Sequence, residues 1–439
     1  MMQDYFYTLV ERLTGRLQGA EVLTCSLHGE DSDFVRLNRN RVRQAGHVTQ
    51  QSLSLDLIEG QRHAAGHCDL AGELSEDLAR LETLLRTLRA QRRHLPVDPH
   101  LNYATESHSS EQYHDNELPE GGEAIATLIR AAEGLDLVGI WAAGTISRGF
   151  ANSLGQRNWH SSATFNLDWS CYHARDKAVK SNYAGFHWQP QRLEAKLEAA
   201  RTQLAILARP ARSVTPGRYR AYLAPAAVRE ILDMLAWGGF GLKSQRTAQS
   251  PLQKMILEGR ALHPAVSLHE DNVRGLEPRF TESGFIKPER VELIERGVYR
   301  DSLVGARSAK EYGAPVNSSG ESPKALEMAA GSLADTEMLE RLDLGLYLNN
   351  LWYCNFSDRN DCRITGMTRF ACFWVEQGKI QAPLDVMRFD DSVYRMLGDA
   401  LVDLTREREL IFDAGSYEER STHSYRLPGI LLDSLKLTL

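Results

Sequence analysis

The sequence predicts an α+β protein in two parts. Residues 1–209 are expected to form an N-terminal α/β domain with an antiparallel, hairpin-rich sheet, and residues 217–439 a C-terminal mainly-β domain with a few packed helices. Segments of strand character follow one another without alternating helices, which argues against a doubly wound parallel sheet. The connection 210–217 contains proline, glycine and serine after a helix, and this composition predicts a boundary there.

The N-terminal elements follow from the spacing of apolar residues. Phe6, Leu9 and Leu13 recur at helical spacing and predict a first helix that ends near Gly19. Strands are predicted at residues 21–27, 34–37, 52–58, 135–141, 145–150, 159–172 and 177–188. Helices are predicted at residues 73–93, around 125–132 and at 193–209. The polar stretch 97–122 predicts a long surface connection between two of these helices.

The C-terminal elements are shorter and are separated by turns. A strand at 218–223 precedes a helix at 225–237, and Gly378 indicates a hairpin turn. Further strands are predicted at residues 286–294, 297–303, 370–376 and 379–383. Val393, Met396, Leu397 and Leu401 share helical spacing and predict a late helix over residues 392–408.

Composition excludes several classes of function. The 51 lysines and arginines against 58 acidic residues give a net charge of -7, so no basic field favours nucleic-acid binding. No apolar run is long enough to cross a membrane, and the first residues lack the pattern of a signal peptide, so we expect a cytoplasmic protein. The six cysteines show no C-x-x-C pair, which favours buried, reduced thiols.

The segment IERGVYRDSL at 294–303 is followed by ARSAKEYG at 306–313. These motifs resemble those of the TldD/PmbA family, also called modulators of DNA gyrase or TldD/TldE protease subunits. Similar motifs are FTESG at 280–284, VEQGKI at 375–380 and FANSLG at 150–155. Together these motifs span nearly the whole chain.

The resemblance also draws attention to a missing motif. One subunit type of the family carries a helix with H-E-x-x-x-H and a cysteine near the carboxyl terminus, which suits a catalytic zinc with three protein ligands and an open position. Aligned without gaps from Ser250, the two histidine positions hold Asp233 and Gly238, and the glutamate position holds Met234. No cysteine follows Cys372, so the tail 418–423 lacks that ligand as well. We therefore expect no catalytic residue, cofactor or metal ligand in this chain.

Other candidate motifs have plainer interpretations. His269-Glu270 has no second histidine in reach, and His63 and His67 fall on a predicted strand, where they lie about 13 Å apart. His160-Ser161-Ser162 and the segment 317–320 are interpreted as turns, since neither belongs to a known nucleophile motif. The glycines at 237–241 follow a helix instead of preceding one, so they are expected to cap it.

The resemblance implies a non-catalytic, metal-free subunit of a cytoplasmic TldD/TldE-type metallopeptidase complex. The zinc is then expected in a partner chain, a TldD-like paralogue, although association with a second copy as a homodimer stays open. The implied substrates are unfolded peptides or peptide precursors. The stretch 226–250 is either a surface that faces the partner's zinc helix or a core helix followed by a loop.

Two alternatives remain at this stage. The chain is a self-sufficient hydrolase or modifying enzyme if Glu282, Asp301, His269 and Glu270 form a site on the same fold, because a fold does not determine its chemistry. A purely structural homodimer would need only the β-rich surface.

Overall fold

The computed structural model describes residues 2–174 and 177–438, and its strands form two sheets that divide along the chain. The helices are α1 (Met2–Thr14), α2 (Leu74–Arg92), α3 (Gly121–Ala131), α4 (Pro190–Leu207), α5 (Pro225–Ala236), α6 (Leu242–Arg246), α7 (Gln253–Leu257), α8 (Ala306–Tyr312) and α9 (Met338–Leu342). The strands of the first sheet are β1 (Val22–Asn38), β2 (Arg41–Glu59), β3 (Arg62–Asp69), β4 (Ser110–Tyr113), β5 (Asp136–Asn152), β6 (Arg157–Ala174) and β7 (Lys177–Gly185). The strands of the second sheet are β8 (Gly217–Leu223), β9 (Leu268–Asp271), β10 (Arg290–Glu295), β11 (Val298–Tyr299), β12 (Ala325–Met328), β13 (Gly345–Asp358), β14 (Arg363–Glu376), β15 (Lys379–Pro383), β16 (Arg388–Ser392), β17 (Leu401–Phe412) and β18 (Ser424–Leu437).

The first sheet has the order β3-β2-β1-β5-β6-β4, with β7 beside β6. Its long strands pair antiparallel, and only the short β4 runs parallel to its neighbour β6. Helices α1 and α2 pack on β1–β3 through Phe6, Leu9 and Leu85. Helices α3 and α4 pack on β5–β7 around Trp141 and Phe165. The predicted hairpin-rich antiparallel sheet is confirmed.

Two strands of this sheet are longer than the sequence indicated. The predicted strands 21–27 and 34–37 are parts of the single strand β1, and 135–141 and 145–150 are parts of β5. The polar residues between the predicted halves suggested a break. In the structure Glu30 is buried in the middle of β1, where its carboxylate lies 3.4 Å from Nε of Arg420 in the C-terminal half. The ion pair with Arg420 therefore offsets the cost of burying the Glu30 carboxylate in the middle of the strand.

The second sheet has the order β11-β10-β9-β12-β18-β16-β14-β13-β8, with β15 on β14 and β17 on β18. Parallel pairing occurs between β12 and β18 and between β13 and β8. Helix α5 lies against β13 and β18, and its apolar side enters the largest core of the molecule. The mainly-β C-terminal half with few packed helices is thus confirmed.

The predicted helix 392–408 is wrong. Only one π-type turn forms there, at Arg395–Asp399, and Gly398 leaves helical geometry with φ -112° and ψ -115°. The chain then continues as β17, which pairs antiparallel with β18. The apolar spacing of this segment fits a helix, but the ladder offered by β18, the next strand along the chain, overrides that local preference.

The connection 97–122 reaches across to the C-terminal half. The Ala104 N–H donates to the Ser283 carbonyl at 2.8 Å, and the Asn102 side chain donates to the Ala306 carbonyl at 2.8 Å. The segment also contributes β4 to the first sheet. Within the described ranges, no helix combines the length and the apolar composition that a membrane span requires.

Candidate functional site

Helix α5 and the residues just after it contain Asp233, Met234 and Gly238, where the gapless alignment predicts the family's zinc motif. The helix begins at Pro225, whose fixed φ suits the first turn, and ends at Ala236. Gly238 follows with φ +79°, a left-handed conformation that favours glycine, and the Gly239 N–H bonds back to the Leu235 carbonyl. The glycines therefore end the helix, as the sequence predicts, and position 238 lies beyond its last turn.

Asp233 is surrounded by groups that occupy its carboxylate. Tyr425 donates a hydrogen bond from its hydroxyl to Asp233 at 2.5 Å, and Nε of Arg229, one turn earlier, lies 3.4 Å away. Arg229 also reaches Asp413 at 3.3 Å and stacks over the Tyr425 ring at 5.0 Å. Burial alone would raise the pKa of Asp413, but Arg229 outweighs it and the pKa is lowered. Burial and Asp233 together raise the pKa of Tyr425, which keeps its hydroxyl a donor.

The other two motif positions lack ligand atoms that face a common point. Met234 is 6% exposed and packs in the core of the C-terminal half. At Gly238, an added Cβ would lie 2.8 Å from Nη2 of Arg359. That guanidinium donates to the Trp237 and Gln249 carbonyls at 2.5 and 2.8 Å and lies over the Trp237 ring at 5.5 Å.

These positions therefore offer one carboxylate, already paired, and two guanidinium groups. A catalytic zinc requires about three protein ligands and an open position. Arg229 beside Asp233 and Arg359 beside Gly238 would also repel a second cation. The donor set around α5 is suited to holding arginines and does not suit a zinc ion.

The tail 418–423 forms one wall of a cleft between the two sheets, with a volume of about 670 Å³. We call it the central cleft. Strands β1 and β5 form the facing wall, and loops before β10 and β12 form its ends. Its ionisable lining residues are His28, Arg148, Glu277, Glu282, Lys324, Glu418, Glu419, Arg420 and His423. A site of this size lies in the usual range for small-molecule and peptide ligands.

One side of the central cleft is an ionic cluster that joins the two halves of the chain. Nε2 of His28, on β1, lies 3.0 Å from Glu282, and its Nδ1 lies 3.6 Å from Glu419. Arg148, on β5, bonds to Glu419 at 2.9 Å. The hydrogen bonds to Glu282 and Glu419 raise the pKa of His28 to about 9, so the imidazole is charged at neutral pH.

A second charged group of the cleft has two lysines, Lys287 and Lys324, around the buried carboxylate of Glu277. Thr422 donates to Glu277, and Lys287, which is 2% exposed, lies close by. Burial would raise the pKa of Glu277, but Lys287 and Thr422 outweigh it and the pKa is lowered. Nζ of Lys324 lies 2.6 Å from Nε2 of His423. Because an ammonium only donates, His423 accepts this bond in its neutral form, and burial and Lys324 lower its pKa accordingly.

The four residues of the self-sufficient enzyme alternative contact separate partners. Glu282 pairs with His28, whereas the buried Glu270 accepts hydrogen bonds from the backbone N–H groups of Lys324 and Ala325. Asp301 is exposed and accepts from the Ser302 N–H next to it. His269 faces Glu327, as described next. Their contacts give no common reacting point.

One group of ligand-type atoms lies elsewhere, on β9 and β12. Atoms of His269, Asp271 and Glu327 all lie within 4.8 Å of one another. Both oxygens of Glu327 are already engaged, by Arg408 and Arg426 at 3.0 Å each. Burial lowers the pKa of His269 to about 4, so it is neutral at physiological pH. The two arginines oppose a cation here, and we assign this group a structural role.

The remaining candidates are structural. His63 and His67 lie on β3, and His63 bonds to Asp56 at 3.0 Å. His160 is buried inside β6 and bonds to a backbone carbonyl, and burial lowers its pKa to about 3. The prediction of a turn at His160-Ser161-Ser162 is therefore wrong, because β5, β7 and the parallel β4 cover β6 on both edges. Ser319 does lie in a loop, at the edge of the central cleft.

Sequence reasoning missed the residues that give these sites their character. Arg229 could have been found, since an arginine four residues before an aspartate on a helix predicts an ion pair. Arg359, Tyr425, His28 and Lys324 carry no such signal. Each reaches its partner across more than 90 residues of sequence.

Comparisons with known proteins agree with this architecture. Residues 216–439 match a family model described as the PmbA/TldA metallopeptidase C-terminal domain. No curated protein matches the sequence significantly. A protein from Thermotoga maritima, whose structure is described as that of a modulator of a DNA gyrase, is similar in structure, with TM-score 0.75, 13% identity and full coverage of both chains. TldE from Thermococcus kodakarensis gives TM-score 0.76 and 14% identity over 99% of this chain and 100% of that chain. A protein from Bacteroides thetaiotaomicron, whose structure is also described as that of a modulator of DNA gyrase, gives TM-score 0.77 and 15% identity with full coverage of both chains. The chain belongs to the TldD/PmbA family of metallopeptidase-related proteins.

Proposed function

We propose that this chain is a metal-free, non-catalytic subunit of a cytoplasmic TldD/TldE-type metallopeptidase complex that acts on unfolded peptides or peptide precursors. The observation that carries the proposal is the pair of arginines at the motif positions. Arg229 neutralises Asp233, and Arg359 lies against Gly238. Catalysis would then depend on zinc held by a partner chain that carries H-E-x-x-x-H.

The surface beside α5 supports a contact with that partner. Trp237 is 61% exposed and Tyr353 is 71% exposed, and Arg359 lies over both Trp237 and Phe356. Exposed tryptophan, tyrosine and arginine are the residues that most often dominate binding energy at protein interfaces. The predicted partner-facing stretch 226–250 accordingly has a buried helical part and an exposed end at Trp237.

The proposal is tested with the purified chain, alone and mixed with a family member that carries the zinc motif. Bound zinc is measured by mass spectrometry, and cleavage is followed on an unfolded peptide. We expect less than one zinc per ten chains and no cleavage by the chain alone, and zinc-dependent cleavage by the mixture. Chelator-sensitive cleavage by the chain alone would overturn the proposal.

The contact surface has its own test by variants. Trp237→Ser should weaken association with the partner at least about tenfold, since a central tryptophan is worth 2 kcal/mol or more at many interfaces. Tyr113→Ser removes an aromatic side chain of similar exposure, 60%, from β4 in the N-terminal half and serves as the matched control. Equal loss of association in both variants would argue against a contact at the end of α5.

A further inference from the structure

Lys324 lies in the central cleft, where its charge helps to lower the pKa of Glu277. Its Nζ donates to His423, and among the residues that the structure describes it forms no salt bridge. A lysine has three N–H donors, so two remain for another acceptor. Lys287 and Thr422 lower the pKa of the buried Glu277 more than Lys324 does, and Thr422 donates a hydrogen bond to it.

The loop beside Lys324 adds further donors. Ser319 and Gly320 line the same cleft, and within the described chain neither backbone N–H donates to a protein acceptor. The loop is held from behind, because the Asn317 side chain accepts from the Val304 N–H and donates to the Ser302 carbonyl, both at 2.8 Å. The free N–H groups of this loop and the Lys324 ammonium line the same cleft, and together they produce a region of positive electrostatic potential.

The same cleft also holds carboxylates that are balanced by cations, His28 and Arg148. Glu282 and Glu419 share His28, while Glu418 lies exposed beside them. Glu282 and Glu419 are thus already paired with His28 and Arg148, whereas Lys324 keeps donors for a further acceptor. A ligand with a terminal carboxylate can accept from these remaining donors.

We propose that the Lys324 end of the central cleft binds the C-terminal carboxylate of a peptide. This proposal rests on the proposed function, because it is that function which supplies peptides as ligands. The carboxylate would accept from the two remaining donors of Lys324 and from the free N–H groups of Ser319 and Gly320. The rest of the peptide would extend towards Glu282 and Glu419. The chain would then present peptides by their C-terminal ends and leave cleavage to its partner.

The test compares two probes that differ only at the terminus, acetyl-trialanine with a free carboxylate and its C-terminal amide. Binding to the purified full-length chain is measured by titration calorimetry or ligand-observed NMR at low salt. We expect the free acid to bind at least about tenfold more tightly, since hydrogen bonds to a charged group contribute more than neutral ones. Equal binding of the two probes, or binding of neither, overturns the proposal without any variant.

Variants locate the site. Lys324→Gln should abolish the preference for the free acid, and Lys324→Arg should retain it in part. Lys379→Gln removes the same charge from the exposed β15 hairpin and should leave the preference unchanged. Thermal unfolding checks that each variant is folded. A preference that survives in Lys324→Gln, or that Lys379→Gln loses equally, places the carboxylate elsewhere and overturns the proposal.

Sodium acetate distinguishes the peptide end from a small carboxylate. If acetate displaces the peptide with an affinity equal to that of the peptide itself, the cleft recognises the carboxylate alone and the peptide assignment is wrong. We expect acetate to compete at least about tenfold more weakly, because it makes none of the contacts along the cleft. These measurements use no zinc and no partner chain. Failure here therefore leaves the proposed function standing, and zinc-dependent cleavage by the chain alone would overturn that function even if the acid probe binds.

Discussion

Replacing Met234 by glutamate tests whether position 234 faces the core or a polar site. Met234 is 6% exposed, so its replacement by any polar side chain forfeits about 1.5–3 kcal/mol of burial. A buried carboxyl adds a second cost, because desolvation raises its pKa by roughly 2–3 units or more. At about 1.4 kcal/mol per unit, that is ~3–4 kcal/mol at neutral pH. Met234→Gln has nearly the same shape without the charge and isolates this second cost.

The pH dependence gives the sign of the effect. Below about pH 4 the glutamate is protonated in both states, so the two variants should unfold at similar urea concentrations. As the pH rises, the unfolded chain releases the proton and the folded chain retains it, so Met234→Glu loses stability relative to Met234→Gln up to the raised folded pKa. Urea unfolding followed by circular dichroism at pH 5 and pH 8 measures this difference. Equal stability of the two variants at pH 8 would falsify the buried placement and mean that position 234 opens into a polar site.

Three further variants test the charges and the backbone around the two sites. Arg229→Met should cost about 1–3 kcal/mol through Asp233 and Asp413, with Arg229→Lys losing less. Because the pKa of Asp413 is lowered, this contribution is present at neutral pH and is lost as the pH falls through the folded pKa. A stability difference between wild type and Arg229→Met that stays the same at acid pH would contradict it. His28→Gln should remove stability of roughly 1 kcal/mol, after allowance for screening, that is present below pH 6.5 and lost as the pH rises through about 9. If the difference in unfolding free energy between the wild type and His28→Gln is the same at pH 6.5 and at pH 9.5, the pairing of His28 is contradicted. Gly238→Ala should cost about 1 kcal/mol more than Gly238→Asn, since asparagine tolerates a φ of +79°, and equal melting temperatures would refute this.

The sequence predicts those parts of the fold that depend on neighbouring residues. Helix α5 and the hairpin strand β15 lie where local patterns place them, and the turn at Gly238 follows from its glycines. The residues 392–408 mark the limit, because their apolar spacing suits a helix while the ladder with β18 determines the result. Strand pairing depends on whether a partner strand is available, and the periodicity of one segment does not contain this information, even when the partner is the next strand along the chain.

The candidate sites are likewise predicted only in part. The sequence shows that H-E-x-x-x-H is absent, but it does not show which side chains surround positions 233 and 238. Arg359 reaches the end of α5 from 121 positions after Gly238, and Tyr425 reaches Asp233 across 192 positions. Only the folded chain shows that arginines, Arg229 and Arg359, lie beside Asp233 and Gly238.

The two arginines determine what a metal site at these positions would need. If only the ligands were missing, substitutions at 233, 234 and 238 and a cysteine in the tail 418–423 would suffice to rebuild the site. Here a histidine at 233 would meet the Arg229 guanidinium, and a histidine at 238 would need a left-handed backbone and would contact Arg359. A glutamate at 234 would enter the core. Restoring zinc binding would therefore require removal of both arginines and a longer α5, so the chain is several coupled changes away from a catalytic site.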